Sequence, residues 1–138
     1  MGGIYISCGT FSGKDKSGSA LSGVLAGMQA IADTGALAAM ARLDANLEVA
    51  SSYVLIAPDD AATLLPCLRR YRTELEQLIA PIRDPFVAMQ NDEMVDGLDF
   101  GEAKYGKGKG WQYYCVLDLE QALVISSAEG QPVVLNWD

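Results

Sequence analysis

Apolar residues recur along this chain with two rhythms. Leu21, Val24, Leu25, Met28 and Ile31 fall three and four apart, which predicts a helix from about Ala20 to Ile31 with that stripe facing a core. Ser17 or Ser19 is placed to cap its start. Gly23 and Gly27 lie one turn apart on the same segment. Each weakens a helix by about 1 kcal/mol relative to alanine, so the pair suggests close packing against a neighbour. Thr34-Gly35 interrupts the rhythm. A second short helix is then expected over Ala36–Leu43, with Leu37, Met40, Ala41 and Leu43 inward. The clearest helix runs from Asp60 to Ile79. Leu64, Leu68, Tyr71, Leu75 and Leu78 form its stripe, and Pro58-Asp59-Asp60 forms its acidic start. Pro66 either sits in the first turn of the main helix or kinks a longer one, and Pro81 and Pro85 mark the stop.

Other segments read as strands. Ile4–Ser7 is short, with residues that favour extended backbone, and leads into a polar loop over Gly9–Gly18. Ser52–Ala57, with YVLI at its centre, is continuously apolar and is expected to be covered on both faces. Phe86–Gln90, the aromatic run Trp111–Leu117 and Val133–Trp137 complete the set. Asp118 followed by Gln121 resembles a capping box for a helix from Leu119 to about Glu129, which Gly130 and Pro132 would end. Asn91–Gly110 reads as loop. No repeat or linker divides the chain, so 1–138 is expected to be one domain. The expected fold is α+β or α/β: a single mixed sheet of about five strands packed by three to four helices.

Composition narrows the function. The 138 residues carry 18 acids and 10 bases, a formal charge of −8. Such a field repels nucleic acid and anionic lipid and steers a basic partner inward. Ala20–Ala32 is the most membrane-like run, but its about 13 residues fall short of the about 20 that span a bilayer. The opening MGGIYIS has no basic region before its apolar run, so no signal peptide is expected. The three cysteines, Cys8, Cys67 and Cys115, lie far apart in apolar segments and read as core thiols of a cytoplasmic protein. With no histidine and no paired cysteines, zinc and other metal ligation is not expected.

Four constellations bear on chemistry. The run from Gly9 to Lys14-Asp15 is one residue short of a phosphate-binding loop and has an aspartate where the hydroxyl should stand. The absence of histidine excludes Ser-His-Asp and Cys-His catalysis, although Ser17 or Ser19 with Lys14 or Lys16 stays open. The acids of DEMVDGLDFGE do not match a calcium loop. Trp111, Tyr113 and Tyr114 would make a base-stacking platform only against the surrounding charge, and core packing is the expected use. No catalytic residue and no cofactor is therefore expected. The partner-binding candidates are Asp92, Glu93, Asp96, Leu98, Asp99, Phe100 and Glu102, where apolar anchors alternate with charges.

A short opening strand, Ser17-Gly18-Ser19 leading into a helix, the middle segment AATLLPCLRRYRTELEQL, and a close of aromatic strand, DLEQAL helix and GQPVVLNW resemble, in layout, small bacterial immunity proteins of polymorphic or contact-dependent toxin systems. The resemblance implies a non-enzymatic cytoplasmic protein that binds one cognate toxin domain and neutralises it. Two other readings stay open: a small enzyme or ligand-binding domain using loop 9–19, and a structural subunit of a homo-oligomer such as a homodimer.

Overall fold

The structure, a computed structural model, describes residues 3–13, 18–78 and 109–137. Its elements in chain order are β1 (Ile4–Cys8), β2 (Phe11–Ser12), α1 (Gly18–Ile31), α2 (Thr34–Val49), β3 (Tyr53–Ile56), α3 (Pro58–Leu78), α4 (Lys109–Glu129) and β4 (Val133–Trp137). The fold is α+β. The four described strands lie in the order β2-β1-β4-β3 and every pairing among them is antiparallel, where a mixed sheet of about five strands was expected from sequence.

The hairpin β1–β2 replaces part of the expected loop. Gly9 and Thr10 form a two-residue connection, and Gly9 has φ 59°. Glycine at the first central position is what the twist of a tight hairpin of this kind requires. The N–H of Gly13 then bonds back to the carbonyl of Ile6 at 2.9 Å. The segment Lys14–Ser17 lies outside the described residues.

Helix α2 begins earlier than the sequence suggests, because Asp33 accepts a hydrogen bond from the Ala36 amide at 2.9 Å and caps it. Thr34-Gly35 is therefore a first turn and not a break. Ala36, Ala39, Met40 and Leu43 face inward, whereas Leu37 and Ala41 are exposed. The stripe on α3 holds: Leu64, Leu68, Tyr71 and Leu75 are buried. Pro66 sits inside this helix on its exposed side.

The largest correction concerns Trp111–Leu117, which is helical and continuous with the segment after Leu119. Asp118 is thus mid-helix and caps nothing. Helix α4 lies at the centre of the molecule, packed by α3, α1, β1 and β4. Gln112, Tyr113, Cys115, Val116, Leu119, Ala122, Leu123 and Ser126 are all buried along it. Gly130 ends it with φ 72°, its N–H bonded to the Ser126 carbonyl at 2.9 Å.

All four described helices lie on one side of the sheet or behind one another. Ile4, Ile6 and Cys8 of β1, Val54 and Ile56 of β3, and Val133 and Leu135 of β4 point into that core. Each buried leucine or isoleucine contributes about 1.5–3 kcal/mol relative to an exposed one. No helix among the described residues is long and apolar enough to cross a membrane. The expected strand Phe86–Gln90, the loop from Asn91 and the stop at Pro81 and Pro85 lie outside the described residues.

Candidate partner-binding face

A strand alternates its side chains between two faces, and among the described residues only one face of this sheet is covered by helices. Tyr5, Tyr53 and Leu55 are 36%, 56% and 45% exposed, while their chain neighbours Ile4, Ile6, Val54 and Ile56 are buried. YVLI is therefore not covered on both faces.

The register lines these residues up. Tyr5 pairs with Asn136, which pairs with Tyr53 on its other side. In the next outward row Ser7 pairs with Val134, which pairs with Leu55. Ser12 continues that row beyond Ser7. Strands stand about 4.8 Å apart, so the two tyrosines are about 10 Å from one another with an asparagine between them. A flat patch with aromatic and aliphatic anchors and a few amide and hydroxyl groups is suited to contact with another protein surface.

Glu48, in the last turn of α2, and Asp59, just after β3, are exposed on either side of that strand in the chain. Asp44 lies one turn before Glu48 and is also exposed. Arg42, on the same helix, is engaged: its Nε lies 3.1 Å from both oxygens of Asp60.

The other polar groups hold the fold together. On the α3–α4 seam, Arg72 pairs with Glu120 and, at 3.7 Å, with Glu76, and Arg69 reaches Glu120 at 3.3 Å. The Tyr113 hydroxyl donates to Glu76 at 3.4 Å, and the Arg72 guanidinium lies over the Tyr113 ring. Every acid in this seam has a base beside it, and the set joins two helices. Burial would lower the Arg72 guanidinium, but Glu120, Tyr113 and Glu76 outweigh it and hold it above its ordinary value.

All three cysteines are buried, as expected. Burial, with Glu129 nearby, raises the Cys8 thiol against the opposing effect of Ser126. Burial likewise raises Cys67, with Asp33 adding and Arg70 opposing. Cys8 and Cys67 donate to the carbonyls of Gln131 and Met28 at 3.5 and 3.4 Å. A buried thiol kept protonated is a poor nucleophile. Among the described residues, no group of histidine, cysteine, aspartate and glutamate could hold a metal ion.

At the glycine-containing loop, a Cβ at Gly13 would run into the carboxylate of Asp118. Gly13 thus lies against an acidic group, which is unfavourable surroundings for a phosphate. Ser19 is exposed on the first turn of α1. The aromatic run does not form a platform: Tyr113 is buried on α4, and Trp111 and Tyr114 meet edge to face at 6.2 Å between ring centres. The sequence candidates Asp92, Glu93, Asp96, Leu98, Asp99, Phe100 and Glu102, with Lys14, Lys16 and Ser17, lie outside the described residues. The sheet face was missed from sequence because a one-sided strand and a two-sided one both read YVLI. The exposed tyrosine at its start is the one residue that signalled a wet face.

No known protein family, characterised protein or solved structure matches the chain.

Proposed function

We propose that this is a non-enzymatic binding protein, an immunity protein that acts in the cytoplasm by binding and neutralising a cognate basic toxin domain. The observation that carries the reading is the open sheet face: Tyr5, Tyr53, Leu55 and Val134 line one side of the sheet with no described helix over them. A helix-backed sheet is a rigid support, so such a face binds without first paying an ordering cost. The formal charge of −8 selects a cationic partner and speeds its approach. The layout resemblance to toxin-neutralising proteins, apart from its aromatic strand, which is helical here, points the same way, and the acidic run Asp92–Glu102 would add charge to the encounter.

The test is co-expression with a basic toxin domain encoded beside this gene. Growth is restored, the two proteins purify as a 1:1 complex, and association slows as salt rises. Toxicity that persists despite co-expression, or turnover of a substrate by this protein alone, overturns the reading.

A further inference from the structure

Among the described residues, strand β3 closes one side of the sheet, and its outer edge has a defined hydrogen-bonding pattern. The Trp137 N–H donates to the Ser52 carbonyl at 2.9 Å across the β3–β4 ladder. Ser52 and Trp137 are therefore a hydrogen-bonded pair, and in an antiparallel ladder such pairs alternate with pairs that are not bonded to each other. Continuing the register, Val54–Leu135 and Ile56–Val133 are bonded pairs, and Tyr53–Asn136 and Leu55–Val134 are not. The N–H and C=O groups of Tyr53 and Leu55 consequently point away from β4. The same two residues carry the exposed side chains of the strand. Tyr53–Ile56 has no proline, no lysine and no bulge, the devices that usually blunt an edge.

We propose that this edge accepts an extended segment of a basic protein as a fifth strand, resting on the reading that the partner is cationic. Backbone bonds to Tyr53 and Leu55 supply affinity, and alternate side chains of the added strand lie beside Tyr53 and Leu55 on the open face. Charge decides the occupant. Glu48 and Asp59 flank β3 in the chain, and the whole molecule is acidic, so a strand alternating lysine with valine is matched and a second copy of this chain is repelled. Four residues offer only a short ladder, which suits a segment already held extended by its own domain.

The experiment uses the whole protein, labelled with nitrogen-15, and two capped hexapeptides at low salt: one alternating lysine and valine, one alternating glutamate and valine. The lysine peptide shifts the Tyr53 and Leu55 amides and, at about nine-tenths occupancy, slows their exchange about tenfold, because only the unoccupied fraction exchanges. The glutamate peptide leaves both unchanged. Leu55→Pro removes an outward N–H without breaking the β3–β4 ladder, and it weakens the lysine peptide about five- to tenfold, as expected for one lost bond. If that variant does not fold, Leu55→Lys keeps the amide and weakens the same peptide by charge. Shifts confined to another surface, or Leu55→Pro binding as well as the parent, overturn the proposal. Failure here is separable from failure of the immunity reading. A toxin neutralised equally by Leu55→Pro removes only the edge, whereas peptide capture at the edge with no toxin neutralised removes only the immunity reading.

Discussion

The hydroxyl of Tyr71 on α3 donates to Oε1 of Gln112 on α4, and both side chains lie against glycines of α1. A Cβ at Gly27 would overlap the Tyr71 ring, and one at Gly23 would sit 2.8 Å from Nε2 of Gln112. The two glycines, one turn apart, form a notch that lets three helices meet. Gly27→Ala is expected to destabilise by about 1–2 kcal/mol, because overpacking outweighs the helix propensity gained. Gly35→Ala, whose new methyl would meet only Thr63 and Asp33 at ordinary contact distance, is expected to stabilise by about 0.5–1 kcal/mol. Urea titration of both variants reads the opposite signs. Tyr71→Leu combined with Gly27→Ala should cost less than the sum of the two single changes, since the clash is removed with the ring.

Pro66 gives a second test of helix energetics. Its ring lacks an N–H, so the Ala62 carbonyl on α3 loses its helical donor. Pro66→Ala should raise stability by about 1–2 kcal/mol, less than the full helix penalty because the unfolded chain also gains freedom. For a chain of this size that is a rise in Tm of several degrees, about 3–4 °C per kcal/mol.

Alkaline pH should weaken the fold. Burial raises the Cys8 and Cys67 thiols above their ordinary 9.0 and the Tyr71 phenol above its ordinary 10.0. A group whose folded value is raised stabilises fully below its unfolded value and loses that contribution as pH climbs through the folded one. Tm is therefore expected to hold between pH 7 and 8.5 and to fall above about 9, first as the thiols titrate and then as Tyr71 does. Cys8→Ala with Cys67→Ala should remove the first part of the fall. No histidine is present to add a transition between pH 5 and 8.

The ion pairs should not be equal. Arg72 contacts Glu120, Glu76 and Tyr113 with its side chain 31% exposed, while Arg42, 59% exposed, pairs with Asp60. Glu120→Gln is expected to cost about 1 kcal/mol, since it loosens two arginines at a helix seam. Asp60→Asn should cost measurably less, and high salt should narrow the gap.

Much of this fold was legible in the residues. Leu21, Val24 and Met28, and Leu64, Leu68 and Leu75, show a one-sided helical stripe because each helix has a wet side. The glycine notch was readable as a sign of close packing, although not which neighbours would fill it. The second half of helix α4, Leu119–Glu129 with its Gly130 stop, was legible, and the first half was not. The helix's buried residues Gln112, Cys115, Val116, Leu119, Ala122, Leu123 and Ser126 do fall at helical spacing, but polar Gln112 and Ser126 lie within that stripe and apolar Leu117, Val124 and Ile125 lie off it, which blurs the contrast between faces. Its aromatic start, WQYY, then resembled a strand. The Gly9-Thr10 hairpin carried a recognisable signal, glycine first in a two-residue turn, hidden by the polar residues that follow. The open face depends on which side of the sheet the helices chose, and that is a property of the whole arrangement.

Binding should divide between speed and grip. Reversing Asp92, Glu93, Asp96 and Asp99 is expected to slow association with a neutralised toxin about tenfold or more at low salt, with little change in dissociation. Tyr53→Ala is expected to leave Tm within about 2 °C of the parent, as for an exposed side chain, and to speed dissociation. Surface plasmon resonance across a salt series separates the two effects, and unchanged rates in both variants would remove these residues from the interface.

The pairing of β1 with β4 sets when the protein becomes itself. Ile4 meets Trp137 and Ile6 meets Leu135, so the central ladder joins the earliest described strand to the latest. During synthesis the β1–β2 hairpin and the first three described helices emerge with the middle of their sheet missing, and β3 lacks β4, its described neighbour. The described sheet must wait for β4 to leave the ribosome, which makes this a fold completed all at once and exposes its apolar edges to chaperones until then.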